Sequence, residues 1–162
     1  MSDDAITGRS MRGFRRVLVA FGGATATARD AGLIRCAAGV LAEGGELVLL
    51  CAAPTAVALN GQDPLPAGIA GAQRLMDDLA QERLEAAAIH VPEGVAHEVR
   101  LGWEPLAEAA LEVLDEADCD VVVVGHRGRG ELSIVLHGGS VAHRLLHHCR
   151  VPVLVVPQGP DR

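Results

Sequence analysis

Asp118-Cys119-Asp120-Val121-Val122-Val123-Val124-Gly125-His126-Arg127-Gly128-Arg129-Gly130 is the stretch that decides the fold. Its run of β-branched residues is unbroken by any polar side chain. Such a run reads as a strand buried on both faces, and so as part of a parallel sheet. Gly138-Gly139-Ser140 follows and opens a helix. A glycine loop after a buried strand and a Gly-Ser pair at a helix start are two places where bare backbone N–H groups face an anion. The chain closes on a second apolar run, Val151-Pro152-Val153-Leu154-Val155-Val156-Pro157.

Outward from this stretch, strands and helices alternate. Val17 to Phe21 is a short buried strand, and Gly22-Gly23 is a tight turn into a helix over about Thr27 to Ala42. Gly44-Gly45 is expected to end that helix. Leu47 to Cys51 is the second strand, and the proline-containing segment 53–68 reads as a loop. An alanine-rich helix is expected from Gly71 to Ile89. Val95 to Leu101 alternates apolar and polar residues, as a half-exposed edge strand does. Trp103 to Ala117 places Leu106, Ala110, Val113 and Leu114 at helical spacing. A last helix is expected from Ser140 to His148 and a last strand from Val151 to Val156. This alternation predicts an α/β fold with a doubly wound, five-stranded parallel sheet and helices on both faces, joined by right-handed crossovers. Residues 1–14 read as a disordered arm, 15–158 as one domain and 159–162 as a tail.

Composition narrows the function. A chain of 162 residues that is 49% apolar can build one sizeable core and is not disordered. No apolar run reaches the ~18 residues of a membrane span, and the N-terminus lacks a signal-peptide pattern, so a cytoplasmic protein is expected. Cys36, Cys51, Cys119 and Cys149 form no CxxC pair and read as free thiols. There is no lysine and no tyrosine. That excludes a Walker lysine, a Schiff-base lysine and a tyrosine acid. The net charge of −7 is uneven: residues 30–120 hold 4 Arg against 17 acids, whereas 121–162 hold 5 Arg against 2 acids. A basic glycine segment in an acidic protein suits a small phosphate ligand and disfavours nucleic acid.

Gly125-x2-Gly128-x9-Gly138, with Gly-Ser next, resembles the nucleotide motif of the universal stress protein family. The resemblance runs from Arg16 to Pro157. Strict spacing lands on Gly138, while the Gly-Ser pair is Gly139-Ser140, one residue later. Either the loop carries one extra residue, or Gly139 stands where the family has a hydroxyl. The resemblance implies strand order 3-2-1-4-5, with a ligand crevice at the carboxyl ends of strands one and four. It implies ATP or AMP, with or without Mg, as ligand. Carried over by position, the base lies near Ala20, Ala52 and Val124. The phosphates lie on the backbone of Gly125, Gly128, Gly138, Gly139, Ser140 and Val141, with Arg127 and Arg129 as charge partners. Nucleotide-binding members usually carry an Asp where this chain has Gly22.

Other patterns yield less. His143 and His147 are i, i+4 on the last helix, but two ligands do not close a metal site, so no metal is expected. Gly138-Gly139-Ser140-Val141-Ala142 misses GxSxG at its last position. Gly128-x-Gly130 fails as a dinucleotide fingerprint at Ser133. Asp115, Glu116, Asp118 and Asp120 read as a solvated helix end. His126 is the one candidate base near a γ-phosphate, so no catalytic residue is assigned. Val151 to Val156 is an uncharged outer strand, expected to pair with a second copy in a homodimer. The function expected is that of a nucleotide-binding stress sensor or regulator with an unknown protein partner. The alternative is an interaction module of the same fold that binds no nucleotide.

Overall fold

β1 (Phe14–Gly22) is the centre of a five-stranded sheet in the order β3-β2-β1-β4-β5. The computed structural model describes residues 13–22, 28–54, 66–103, 105–127 and 141–158. Along the chain, β1 is followed by α1 (Ala28–Val40), β2 (Leu41–Ala53), α2 (Pro66–Ala88) and β3 (Ala96–Trp103). Then come α3 (Leu106–Glu116), β4 (Val121–Arg127), α4 (Val141–His148) and β5 (Val153–Gln158). Every strand pairing is parallel. The doubly wound α/β fold read from the alternation is the fold observed.

Period-two alternation divides the core into two layers. Val17, Val19 and Phe21 of β1, Leu47, Leu49 and Cys51 of β2, and Val121 and Val123 of β4 face α1 and α2. Leu18, Ala20, Val48, Leu50, Ala52, Val122 and Val124 face α3 and α4. The consecutive valines of β4 are needed because both sides of the strand are covered. Each such buried side chain contributes about 1.5–3 kcal/mol. All four cysteines are free thiols.

The termini of several elements differ from the sequence expectation, each for a local reason. Gly44 and Gly45 do not end α1, which stops at Val40; they lie inside β2. Gly44 has φ +73°, and a Cβ at Gly45 would come within 2.9 Å of the Ala42 carbonyl. The pair forms an irregularity where the register passes from Phe14↔Leu41 to Arg16↔Glu46. α2 begins at Pro66, whose fixed φ suits a first helical position. α3 begins at Leu106 because Pro105 is extended, with φ −78° and ψ 138°, which leaves Trp103 on β3. β5 starts at Val153, beyond the missing N–H of Pro152, whose carbonyl instead accepts from the Val122 N–H at 3.1 Å.

The edge strand β3 alternates, but in the opposite sense to an apolar-inward strand. Val99, Leu101 and Trp103 are exposed. Glu98 and Arg100 turn towards α3 with Gly102, where a Cβ would meet the Ala109 Cβ at 2.9 Å. Arg16 explains how charged groups are tolerated there. It pairs with Glu46 at 3.2 Å and Glu98 at 3.5 Å and donates to the Ala117 carbonyl at 2.6 Å.

Asp120 fixes the central pairing. Its Oδ2 accepts from the Arg15 N–H at 2.6 Å and the Arg16 N–H at 3.1 Å, and its own N–H donates to the Arg16 carbonyl at 2.8 Å. The acidic segment before β4 is therefore not simply a solvated helix end. One of its carboxylates ties the start of β4 to the start of β1.

Candidate functional site

In a parallel sheet all strands end at one side, and each following helix starts there. β1 and β4 are neighbours, and the helix after β1 packs on one face of the sheet while the helix after β4 packs on the other, which opens a crevice between their ends. The register places the sequence-predicted residues at this mouth. Gly22 pairs with Ala52, Ala20 pairs with both Leu50 and Val124, and Gly125 pairs with Val156. Arg127 is the last residue of β4, and Val141 is the first of α4. The structure thus brings Ala20, Gly22, Ala52, Val124 and Gly125 to adjoining strand ends. Gly128, Arg129, Gly138, Gly139 and Ser140 lie outside the described residues.

Ala20, Ala52 and Val124 are 2%, 0% and 1% exposed and belong to the layer under α3 and α4. Small side chains at these positions let the strand ends approach the helices closely. Leu106, the first residue of α3, fills the space beside Gly22. A Cβ on Gly22 would stand 3.2 Å from the Leu106 Cδ2, closer than ordinary van der Waals contact.

The end of β1 is held by a group that sequence reasoning missed. Arg83 on α2 donates from Nη1 to the Gly22 carbonyl at 2.6 Å. Its Nε and Nη2 reach the Asp30 carboxylate on α1 at 3.0 and 2.8 Å, and its guanidinium lies 5.6 Å from the Phe21 ring centroid. Asp30 and Arg83 are both buried. The signal in the sequence was an arginine on the helix face that also carries Ala80, Leu84 and Ala87. A charge on a buried face needs a partner.

A separate groove of about 380 Å³ runs between β3 and α3, lined by Arg100, Trp103, Glu108, Glu112 and Glu116 among others. Arg100 is already paired with Glu98 at 3.1 Å and faces Glu116 at 3.9 Å. The groove is dominated by carboxylates, so it repels phosphate. Burial pushes the Cys119 thiol, before β4, up to about 11. Among the described residues no helix is long and apolar enough to cross a membrane.

A model of the universal stress protein family matches residues 13–157. No curated protein sequence matches the chain. Solved structures share the fold. A universal stress protein in complex with cAMP is 21% identical with a TM-score of 0.55, covering 91% of this chain and 99% of its own. A family protein from Burkholderia pseudomallei is 27% identical with a TM-score of 0.50, covering 92% and 98%. A universal stress protein from Lactobacillus plantarum is 16% identical with a TM-score of 0.55, covering 89% and 98%. With the family match spanning nearly all of the sheet whose order and register are described above, the chain belongs to the universal stress protein family.

Proposed function

We propose that this chain binds an adenine nucleotide, ATP or AMP, at the carboxyl ends of β1, β2 and β4, and serves as a sensor or regulator. The observation that carries the reading is the register, which pairs Gly22 with Ala52 and pairs Ala20 with Val124, the residue before Gly125, at the switch point. The motif Gly125-x2-Gly128-x9-Gly138 begins in the last residues of β4 and ends two residues short of α4. Because Ala20, Ala52 and Val124 bury their side chains, a base at this mouth meets main-chain groups. Phosphates then lie on the Gly128, Gly139 and Ser140 backbone ahead of the positive end of α4. A relative of this fold, 21% identical, was solved with cAMP, which supports the choice of an adenine nucleotide.

Fast turnover is not part of this reading. The chain has no lysine. Efficient phosphoryl transfer needs a positioned base and charge stabilisation at the transferred group. The protein acts as a homodimer through the outer edge of β5. One observation favours a second reading, an interaction module without nucleotide: Gly22 supplies no carboxylate, and Leu106 occupies the space beside it.

Calorimetric titration of ATP and AMP into wild type and into Gly128→Val/Ser140→Ala separates the two. Binding to wild type, with about 1.5–3 kcal/mol lost per phosphate contact removed, is the expected result. No heat at millimolar nucleotide, or equal binding to both proteins, rejects the nucleotide reading in favour of the module.

A further inference from the structure

The face of α4 turned away from the sheet carries an arrangement with no part in nucleotide binding. His143 and His147 are exposed and one helical turn apart. Their Nε2 atoms face each other at 3.2 Å, and the rings are inclined at 62° with centroids 4.5 Å apart. Two ring nitrogens so placed either share one proton or can hold one cation between them. We propose that His143 and His147 form an open chelating site for a borderline divalent transition metal ion such as Zn²⁺, Ni²⁺, Co²⁺ or Cu²⁺. Water or an external ligand completes the coordination.

The distance is the first argument. Imidazole nitrogens bind zinc at about 2.0–2.1 Å, so two on one ion stand about 2.9 Å apart at a right angle and about 3.4 Å apart at a tetrahedral angle. The observed 3.2 Å lies between these limits, so the spacing of the two nitrogens already matches that of two ligands on one ion. The helix supplies the second argument. Residues four apart on one face are neighbours, so α4 sets the spacing. His147 lies in the last turn, at the negative end of the helix dipole, where a cation is favoured.

Local charge is the third argument. Arg144 would repel an ion, but its guanidinium is engaged by Glu108 of α3. Neutral imidazole selects zinc, nickel, cobalt and copper over magnesium and calcium, which prefer oxygen. Among the described residues no group of three or more ligating side chains gathers, so α4 offers this pair and not a closed structural zinc centre.

The test uses untagged full-length protein, stripped with chelator and desalted, with no nucleotide present. NiCl₂ and ZnCl₂ are titrated by calorimetry, and CoCl₂ is followed through its visible absorption. One ion per chain is expected for wild type. Affinity should fall about tenfold or more in His143→Gln and in His147→Gln. It should stay unchanged in His97→Gln and His148→Gln. Both target side chains are exposed, so the metal-free variants should melt with wild type, and only wild type should gain melting temperature on adding nickel. No binding to wild type, equal binding to wild type and both target variants, or loss in His148→Gln alone overturns the site.

Discussion

Arg83 and Asp30 join α2 to α1 through a two-point pair, Nε to Oδ2 at 3.0 Å and Nη2 to Oδ1 at 2.8 Å, with side chains only 5% and 4% exposed. The same guanidinium holds the Gly22 carbonyl. A pair meant for stability alone could be apolar. This one also holds the last carbonyl of β1 at the crevice.

Breaking that pair on one side should be costly. Asp30→Ala leaves a guanidinium buried without its carboxylate, and a loss of about 3–5 kcal/mol is expected. Asp30→Leu/Arg83→Met, which removes both charges, should recover much of it. Urea denaturation followed by circular dichroism decides the matter. A single variant within about 1 kcal/mol of wild type would mean that solvent reaches the pair.

Gly22→Asp is expected to bind nucleotide poorly on its own. The strand conformation at Gly22 accepts a side chain, but Leu106 stands 3.2 Å from the new Cβ. Gly22→Asp/Leu106→Val removes that crowding. Its carboxylate should then tighten ATP binding by about 1.5–3 kcal/mol, as for a hydrogen bond to a charged group. Calorimetry on both variants reads the difference. Equal gains from the single and double variants would show that Leu106 does not limit the site.

The outer edge of β5 should hold the dimer. Val153 to Val156 are only half-buried in one chain, and the strand pairs with β4 alone. Val153→Lys/Val155→Lys should give a folded protein of 16.8 kDa in light scattering, against twice that mass for wild type. Near-wild-type circular dichroism must accompany the change. A wild type already at single-chain mass, or a folded double variant that stays dimeric, removes the edge from consideration.

Alkaline stability should report on Cys119. Burial raises its thiol from 9.0 to about 11, so the folded state keeps the proton longer than the unfolded chain. Below pH 9 both states are protonated and the preference for folding is fully present. As pH rises from 9 towards 11 the unfolded chain ionises first, and stability falls by about 2 kcal/mol. With no lysine or tyrosine in the chain, the groups to separate from Cys119 are the three other free thiols, Cys36, Cys51 and Cys149. Cys119→Ala should flatten the decline in a series of denaturation curves. An unchanged slope would assign the loss to another thiol.

Much of this was legible in the chain because buried parallel strands announce themselves. Val121-Val122-Val123-Val124 must be covered on both faces, and that alone fixes the class. Element ends were less legible. Gly44-Gly45 carries the signature of a helix stop but works as a strand irregularity, since its neighbour across the sheet, Arg15, lies outside any local window. β3 shows period two, yet periodicity cannot say which face is inward when Arg16, far upstream, neutralises the charged one. At the site, the strand-end positions follow from alternation, whereas the Arg83–Asp30–Gly22 arrangement spans three elements. No local window contains it.

Because β1 is central, its two neighbours arrive at very different times during synthesis. β2 follows after one helix, but the contact from Arg15 to Asp120 closes a separation of 105 residues. Until the ribosome has released Val121 to Val124, the nascent chain carries an apolar strand with one row of backbone groups unpaired. Loop closure on that scale is slow, and an open apolar edge invites other chains. The time for which the emerging chain exposes that edge is therefore set by the position of β4, not by the length of the protein.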